Sequence, residues 1–184
     1  MRVITGSCRG KKLKTLESLD TRPTTDMVKE AVFSIIQFDV PASSVLDLFA
    51  GSGQMGIEAL SRGASHCVFV DSNPEAVAIV KDNVDSCGFN KESRVLCMDS
   101  LESLKVAKAG LDIVFIDPPY RKGIVEKALE LVESKLNDGA IIVCEHEKEL
   151  ELGESYGRLK LHKRYKYGKT ALTVYKIPMK EVDY

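Results

Sequence analysis

No apolar run in the chain approaches the ~18–20 residues that a bilayer-spanning helix needs, so a protein integral to a membrane is not expected. The opening Met1-Arg2-Val3-Ile4-Thr5-Gly6 has no apolar stretch of signal-peptide length before its lysine cluster, which points to the cytoplasm. Cysteine is sparse. Its five positions, Cys8, Cys67, Cys87, Cys97 and Cys144, are odd in number and include no CxxC, which argues against a disulfide scaffold or a structural zinc site. His66, His146 and His162 form no HxxxH pair, so no metal is expected. Internal repeats, low-complexity tracts and linkers are lacking too. What remains, 184 residues of which 44% are hydrophobic and 29% charged, is the composition of one folded domain with a sizeable core.

Residues 1–20 alternate around Gly6 and Gly10 as short strands or a hairpin. Arg22-Pro23-Thr24-Thr25-Asp26 reads as a helix start, and Val28, Val32, Phe33, Ile35 and Ile36 fall largely on one face of the helix that follows. From Ser44 strands and helices alternate. The expected order is Val45–Leu48, Gln54–Arg62, His66–Val70, Pro74 to about Ser86, Arg94–Cys97, Leu101–Ala107, Leu111–Ile116, Val125–Leu136 and, after an Asn137-Asp138-Gly139 turn, Ala140–Cys144. This α/β alternation predicts a mostly parallel sheet with helices on both faces. Arg158–Arg164 and Thr170–Ile177, joined at Tyr167-Gly168-Lys169, add a C-terminal antiparallel hairpin. The expected organisation is a single domain, 1–184, with a small N-terminal β/helix extension (1–40) on a core of 41–184.

The net charge of −1 hides its distribution. Residues 1–14 hold Arg2, Arg9, Lys11, Lys12 and Lys14 with no acid, and residues 155–180 hold eight basic side chains with no acid, leaving 13 basic against 27 acidic residues between and around them. Two basic ends suggest a polyanion-facing surface; solvated lysine-rich strands are the alternative.

In parallel sheets ligands bind beyond the carboxyl ends of the strands, where strand order reverses. There the first strand runs into Asp47-Leu48-Phe49-Ala50-Gly51-Ser52-Gly53-Gln54-Met55-Gly56, with Gly51, Gly53 and Gly56 at G-x-G-x-x-G spacing. That spacing alone suits NAD, FAD, S-adenosylmethionine or a plain tight turn. Asp47 would repel a phosphate and attract an ammonium or sulfonium, Asp71 ends the second strand where an acid meets ribose hydroxyls, and Asp99 follows the third, near an adenine edge. Three acids after three strands favour S-adenosylmethionine, a cation without phosphate, over a nicotinamide. Singly, each has a structural reading: a helix cap for Asp47, an Asp-Ser-Asn turn for Asp71, and a cap on Leu101–Ala107 for Asp99.

The fourth strand ends in Asp117-Pro118-Pro119-Tyr120. An exocyclic amine on a base is a poor nucleophile because its lone pair is delocalised into the ring. A carboxylate and a proline-fixed backbone carbonyl accepting from that amine can hold it and localise the lone pair, while an aromatic stacks on the base. Asp117, the Pro118 carbonyl set by Pro119, and Tyr120 supply those parts without metal or histidine. The alternative is a proline turn after a buried strand.

These two segments resemble the cofactor loop and the (D/N/S)PP(Y/F/W) motif of amino-methyltransferases. With Gly6–Leu13, Arg22–Glu30, Leu46–Gly53 and Glu58–Arg62, the pattern resembles the bacterial 16S rRNA (guanine-N2)-methyltransferase family RsmD over nearly the whole chain. The resemblance implies a Rossmann-like methyltransferase fold, S-adenosyl-L-methionine held by Asp47, Phe49, Gly51, Ser52, Gly53, Gly56, Asp71 and Asp99, and catalysis by Asp117, Pro118, Pro119 and Tyr120. It implies a guanine in 16S rRNA of the assembled or assembling small subunit as target. Arg9, Lys11, Lys12, Arg22, Thr24, Thr25, Lys163, Arg164 and Lys166 are the expected RNA-facing residues, and a monomer is expected. Neither flank has room for a separate DNA-recognition domain, which suits an RNA read by shape and splayed-out bases. Three alternatives stand beside it: an enzyme acting on adenine N6, cytosine N4 or a protein amide; a non-catalytic RNA-binding assembly factor; and an NAD-dependent oxidoreductase, which Asp47 disfavours.

Overall fold

The computed structural model describes residues 1–16, 26–119 and 123–179. Strands β1 (Ser44–Asp47), β2 (His66–Asp71), β3 (Ser93–Cys97), β4 (Leu111–Ile116) and β5 (Leu136–Glu147) pair in parallel. β6 (Ser155–Tyr156), β7 (Leu159–Tyr167) and β8 (Thr170–Lys176) continue the sheet antiparallel, in the order β3-β2-β1-β4-β5-β8-β7-β6. Strand order reverses between β1 and β4, and β8 enters between β5 and β7. The turn joining β7 to β8 therefore lies at the end where the parallel strands finish, with Glu147 opposite Thr170 and Thr170 opposite Tyr167.

Near-continuous apolar strands demand cover on both faces. One face carries α1 (Asp26–Ile35), α2 (Gln54–Ser61) and α3 (Pro74–Cys87), with Val32, Phe33, Ile57 and Val80 packed on Val45, Phe69, Phe115 and Val174. The other carries α4 (Ser100–Val106) and α5 (Ile124–Val132), with Leu104, Val125 and Leu129 on Leu46, Ile116 and Ile142. No described helix is long and apolar enough to cross a membrane, and all five cysteines are free thiols.

Two expected boundaries fail. α5 stops at Val132, a 3-10 turn (Glu133–Lys135) follows, and β5 begins at Leu136, before the Asn137-Asp138-Gly139 segment read as a turn. Two steps along β4, from Leu111 to Ile113, face five along β5, from Leu136 to Ile141. The turn-like residues thus form a bulge inside the strand, Gly139 taking φ +79° and Asn137 donating to Asp112 at 2.7 Å. Pairing with β4 has overridden local turn chemistry. β7 also extends to Tyr167, and β6 was not expected at all.

The first 14 residues form a hairpin, bridged at Arg2 and Lys12, that lies along α2 and α3. Its anchor is Glu58. This fully buried carboxylate accepts from the amides of Ile4 (2.8 Å) and Thr5 (3.0 Å) and from Arg62 Nε (2.8 Å), and it lies 3.8 Å from the equally buried Lys29 Nζ. Lys29 in turn donates to the Arg2 carbonyl at 2.6 Å, and burial pushes its ammonium below the usual lysine range despite Glu58. Gly6 is held so close to α2 that a Cβ there would lie 1.7 Å from the Ser61 carbonyl oxygen, which accepts from the Ser7 amide. Gly6–Leu13, Glu58–Arg62 and the described part of the Arg22–Glu30 segment, Asp26–Glu30, thus meet at the C-terminal half of α2.

Glu58→Ala leaves a buried ammonium and two amides without their acceptor, and urea denaturation should register a loss of ~3–5 kcal/mol. Lys29→Met should cost clearly less, because Arg62 still neutralises Glu58. Equal, sub-kcal/mol effects would show that the cluster does not hold the hairpin.

Candidate active site

The crevice opens where the chain leaves β1. Leu48 donates its amide to the Phe115 carbonyl of β4 (3.1 Å), whereas Ala50 donates to the Val70 carbonyl of β2 (2.9 Å), so the loop divides between the two neighbouring strands. Gly51 and Gly53 then take φ +55° and +78°, and Gly53 caps α2. Gly56 serves another need: a Cβ there would lie 2.3 Å from Phe69 and 2.6 Å from the Cys67 sulfur, so only glycine lets α2 sit on β2. Phe49 and Ser52 are half-buried beside the loop, and Ser52 Oγ donates to Met1 Sδ at 3.2 Å.

Each of the three aspartates proves to hold backbone. Asp47, 4% exposed, accepts the Gly56 amide at 3.0 Å. Asp71 accepts Gly51 through one oxygen (2.8 Å) and Asn73 through the other (2.9 Å), and Asp99 caps α4 by accepting from Glu102 at 2.9 Å. All three structural readings are therefore realised, alongside whatever the carboxylates do for a ligand. Asp47 also departs from the fixed anion expected. Burial pushes its carboxyl up to about 7, the Gly56 amide opposes this, and the charge of Asp71 adds to it. Asp71, half-buried at the mouth of the loop, is the more accessible of the two carboxylates.

Asp117 follows β4 half-buried, Pro118 is buried and Pro119 exposed. Tyr120, Arg22, Thr24 and Thr25 lie outside the described residues. His146, at the end of β5, is fully engaged: its Nδ1 faces the Glu147 carbonyl (2.8 Å) and must carry the proton, leaving Nε2 to accept from Thr173 Oγ1 (2.8 Å). Burial lowers its pKa further, so it is held neutral.

The basic residues separate. Arg9 and Lys11 sit at the hairpin turn against Ser61, the last residue of α2, at the end of that helix remote from the glycine loop. Lys12 pairs with Arg2 midway along the hairpin. Lys163 and Lys166 are exposed on the half of β7 nearest the carboxyl edge, and Lys163 lies 5.1 Å from the centre of the Tyr165 ring. Arg164 is turned back to donate to the Leu152 carbonyl, and Arg158 is spent on Glu133 (2.6 Å) and Asp138 (3.1 Å). Charge counting pooled side chains that the fold sends to opposite ends.

Sequence reasoning missed two residues that shape the crevice. Ser100 Oγ donates to the Leu48 carbonyl (2.7 Å), tying α4 to the loop. Asn83 on α3 donates to the Ser52 carbonyl (2.9 Å), a contact 31 residues away that no local pattern reveals; its only trace is a polar residue among the apolar positions of the helix. The crevice fits S-adenosylmethionine. Residues 47–56 contain no Lys or Arg to meet a phosphate, whereas Asp71 and Asp99 bring carboxylates to the ends of β2 and β3, where ribose hydroxyls and an amine find acceptors.

The folded Asp47 holds its proton to about 7 against 3.8 for an unperturbed carboxyl, so folding takes up a proton between these values and stability falls as pH rises through that window. Asp47→Asn keeps an acceptor for Gly56 and cannot titrate. Between pH 5 and pH 8 the wild type should lose on the order of 3 kcal/mol more unfolding free energy than the variant, at ~1.4 kcal/mol per pKa unit. Parallel pH profiles in denaturant titrations would refute this.

The family model described as Conserved hypothetical protein 95 matches residues 1–176. The chain is 33% identical over 177 residues to ribosomal RNA small subunit methyltransferase D of Escherichia coli (strain K12), covering 95% of this chain and 89% of that one. The solved structure of yhhF from Escherichia coli superposes with a TM-score of 0.88 at 32% identity, covering 98% of this chain and 99% of that one. The fold also matches an RNA methyltransferase from Salinibacter ruber solved with S-adenosyl-L-homocysteine, at a TM-score of 0.68 and 16% identity over 88% of this chain and 97% of that one. With its sequence matched from residue 1 to residue 176, the chain belongs to the Conserved hypothetical protein 95 family, the RsmD family that its glycine loop and Asp-Pro-Pro-Tyr segment resemble.

Proposed function

We propose that the protein transfers a methyl group from S-adenosylmethionine to the exocyclic N2 amine of a guanine in 16S rRNA of the small ribosomal subunit. It would act as one methyltransferase domain, with residues 1–40 as a target-facing extension whose Met1 and Lys14 end, not its Arg9 turn, lies beside the glycine loop, and 41–184 holding the cofactor and the catalytic motif. The observation that carries the reading is the seat of Asp117. It follows β4, the strand whose Phe115 carbonyl takes the Leu48 amide of the glycine loop, so the amine-binding motif and the cofactor loop share the switch point. The relatives named small subunit methyltransferase D support the rRNA target.

Bound in the crevice, S-adenosylmethionine supplies an electrophilic methyl group on its sulfonium. Asp71 and Asp99 would hold it by accepting from its hydroxyls and amines, and the positive-φ glycines of the loop would let it approach the backbone closely. Asp117 and the Pro118 carbonyl accept the two N–H bonds of the target amine and turn its lone pair toward the methyl carbon. The cofactor would supply the methyl group to that lone pair, leaving as the neutral thioether, and the proton given up by the amine would pass to water. The neutral, engaged His146 takes no part.

Asp117→Ala should leave cofactor affinity nearly unchanged in calorimetry while single-turnover methylation of small subunits falls by about 10²–10³, since the lost contact acts mainly in the transition state. Asp117→Asn, which keeps an acceptor, should retain more activity than alanine. A wild-type rate in Asp117→Ala would reduce the segment to a turn. Digestion of the product should give N2-methylguanosine; N6-methyladenosine or N4-methylcytidine would move the target to another amine. Neutralising Lys163 and Lys166 together should weaken subunit binding and lower its salt slope by about 2 without changing cofactor affinity. An unaltered slope would make the tip of β7 a solvated surface.

A further inference from the structure

Asn83 is 1% exposed, lies in the interior of α3, and spends its whole amide on two other chain segments. Its Oδ1 accepts the Lys14 amide at 2.8 Å and its Nδ2 donates to the Lys14 carbonyl at 3.0 Å, as a neighbouring strand would. The same Nδ2 donates to the Ser52 carbonyl at 2.9 Å, between Gly51 and Gly53 of the cofactor loop. The other end of the hairpin reaches the same residue, through Met1 Sδ and Ser52 Oγ. One buried side chain thus joins the N-terminal extension to the loop that meets the cofactor.

We infer that Asn83 is a positioning residue that couples cofactor binding to target binding, an inference that rests on the function proposed above. A loop fixed by cofactor holds the Ser52 carbonyl in place, and with it the orientation of the Asn83 amide. That amide sets both hydrogen-bonding groups of Lys14, in the N-terminal extension proposed above to face the target. Ordering one segment lowers the entropic cost of ordering the other, so each ligand tightens the other by the same factor. The nearby Lys14–Asp82 pair, at 2.6 Å, is exposed on both sides and contributes little to this link. Asn83 has no apolar substitute for the task, because both neighbouring segments present it with backbone groups that need a donor or an acceptor.

The test is a closed thermodynamic cycle on the full-length protein, with S-adenosylhomocysteine as the cofactor probe and purified small subunits from cells lacking the enzyme as target. Wild type should bind subunits about 5–150-fold tighter when saturated with S-adenosylhomocysteine. Its affinity for S-adenosylhomocysteine should rise by the same factor when subunits are bound. Asn83→Leu, nearly isosteric, should bring the ratio to within about twofold of unity. Asn83→Asp, which keeps an acceptor for the Lys14 amide and loses both donated bonds, should do the same, whereas Asp82→Ala should keep the wild-type ratio. A general weakening of the fold would lower both affinities and leave their ratio intact. A wild-type ratio of one in an enzyme that methylates subunits, or a full ratio in folded Asn83→Leu, overturns the coupling. Absence of methyl transfer by wild type would instead overturn the functional reading on which it rests.

Discussion

A carboxylate with no access to water must be surrounded by donors, and the surroundings of Glu58 determine much of this molecule. Two amides of the N-terminal hairpin, a guanidinium one turn along α2 and the ammonium of α1 all converge on it. Removing the carboxylate would strand the Lys29 ammonium and both amides in the interior, so hairpin, α1 and α2 are held together through it. Arg62 adds a second bond to the assembly by lying 4.6 Å from the centre of the Phe33 ring, which itself packs on Phe115 of β4. An extension that composition marks only as basic and glycine-punctuated is thereby fastened to the strand that leads into Asp117.

The switch point is built with the same economy. Asp47, Asp71 and Asp99 were read as ligand-facing acids, and each turns out to brace the backbone that a ligand would touch. The two roles are compatible because a carboxylate offers about four lone-pair directions and a single amide occupies one. Asp47 is the exception, since it is sealed beneath α2 and its charge is suppressed by burial. It acts on the loop from below, by fixing Gly56, more than on anything above it.

Much of the fold was legible because parallel strands and their helices announce themselves by period. His66–Asp71, Pro74–Cys87 and Leu111–Ile116 fall within a residue of where alternation and capping put them, Asn73 and Gly88 closing α3 as their side chains allow. The failures have one cause. Asn137-Asp138-Gly139 looks like a turn to any local rule, yet β4 and Ile177 pair with its flanks and make it a bulge. Arg9 and Lys163 look alike in sequence, and only the direction of their strands separates one from the crevice by the length of α2. The site was legible as a list of strand ends; Ser100 and Asn83 were not, because their partners lie 52 and 31 residues away. Tyr120 falls outside the described residues.

One further residue governs what the C-terminal hairpin shows to its surroundings. β7 pairs Leu161 with Tyr175 but Lys163 with Val174, so His162 is an extra residue in the strand. Every side chain beyond it is thereby moved to the opposite face: Lys163, Tyr165 and Tyr167 stand on the side of α1, and Arg164 on the side where Leu152 is buried. Shortening β7 by that one position would exchange the two faces, sending the aromatic and cationic row behind the sheet without altering composition or charge. In this sheet, a one-residue insertion or deletion in a strand would redirect a surface as completely as substitution of its residues.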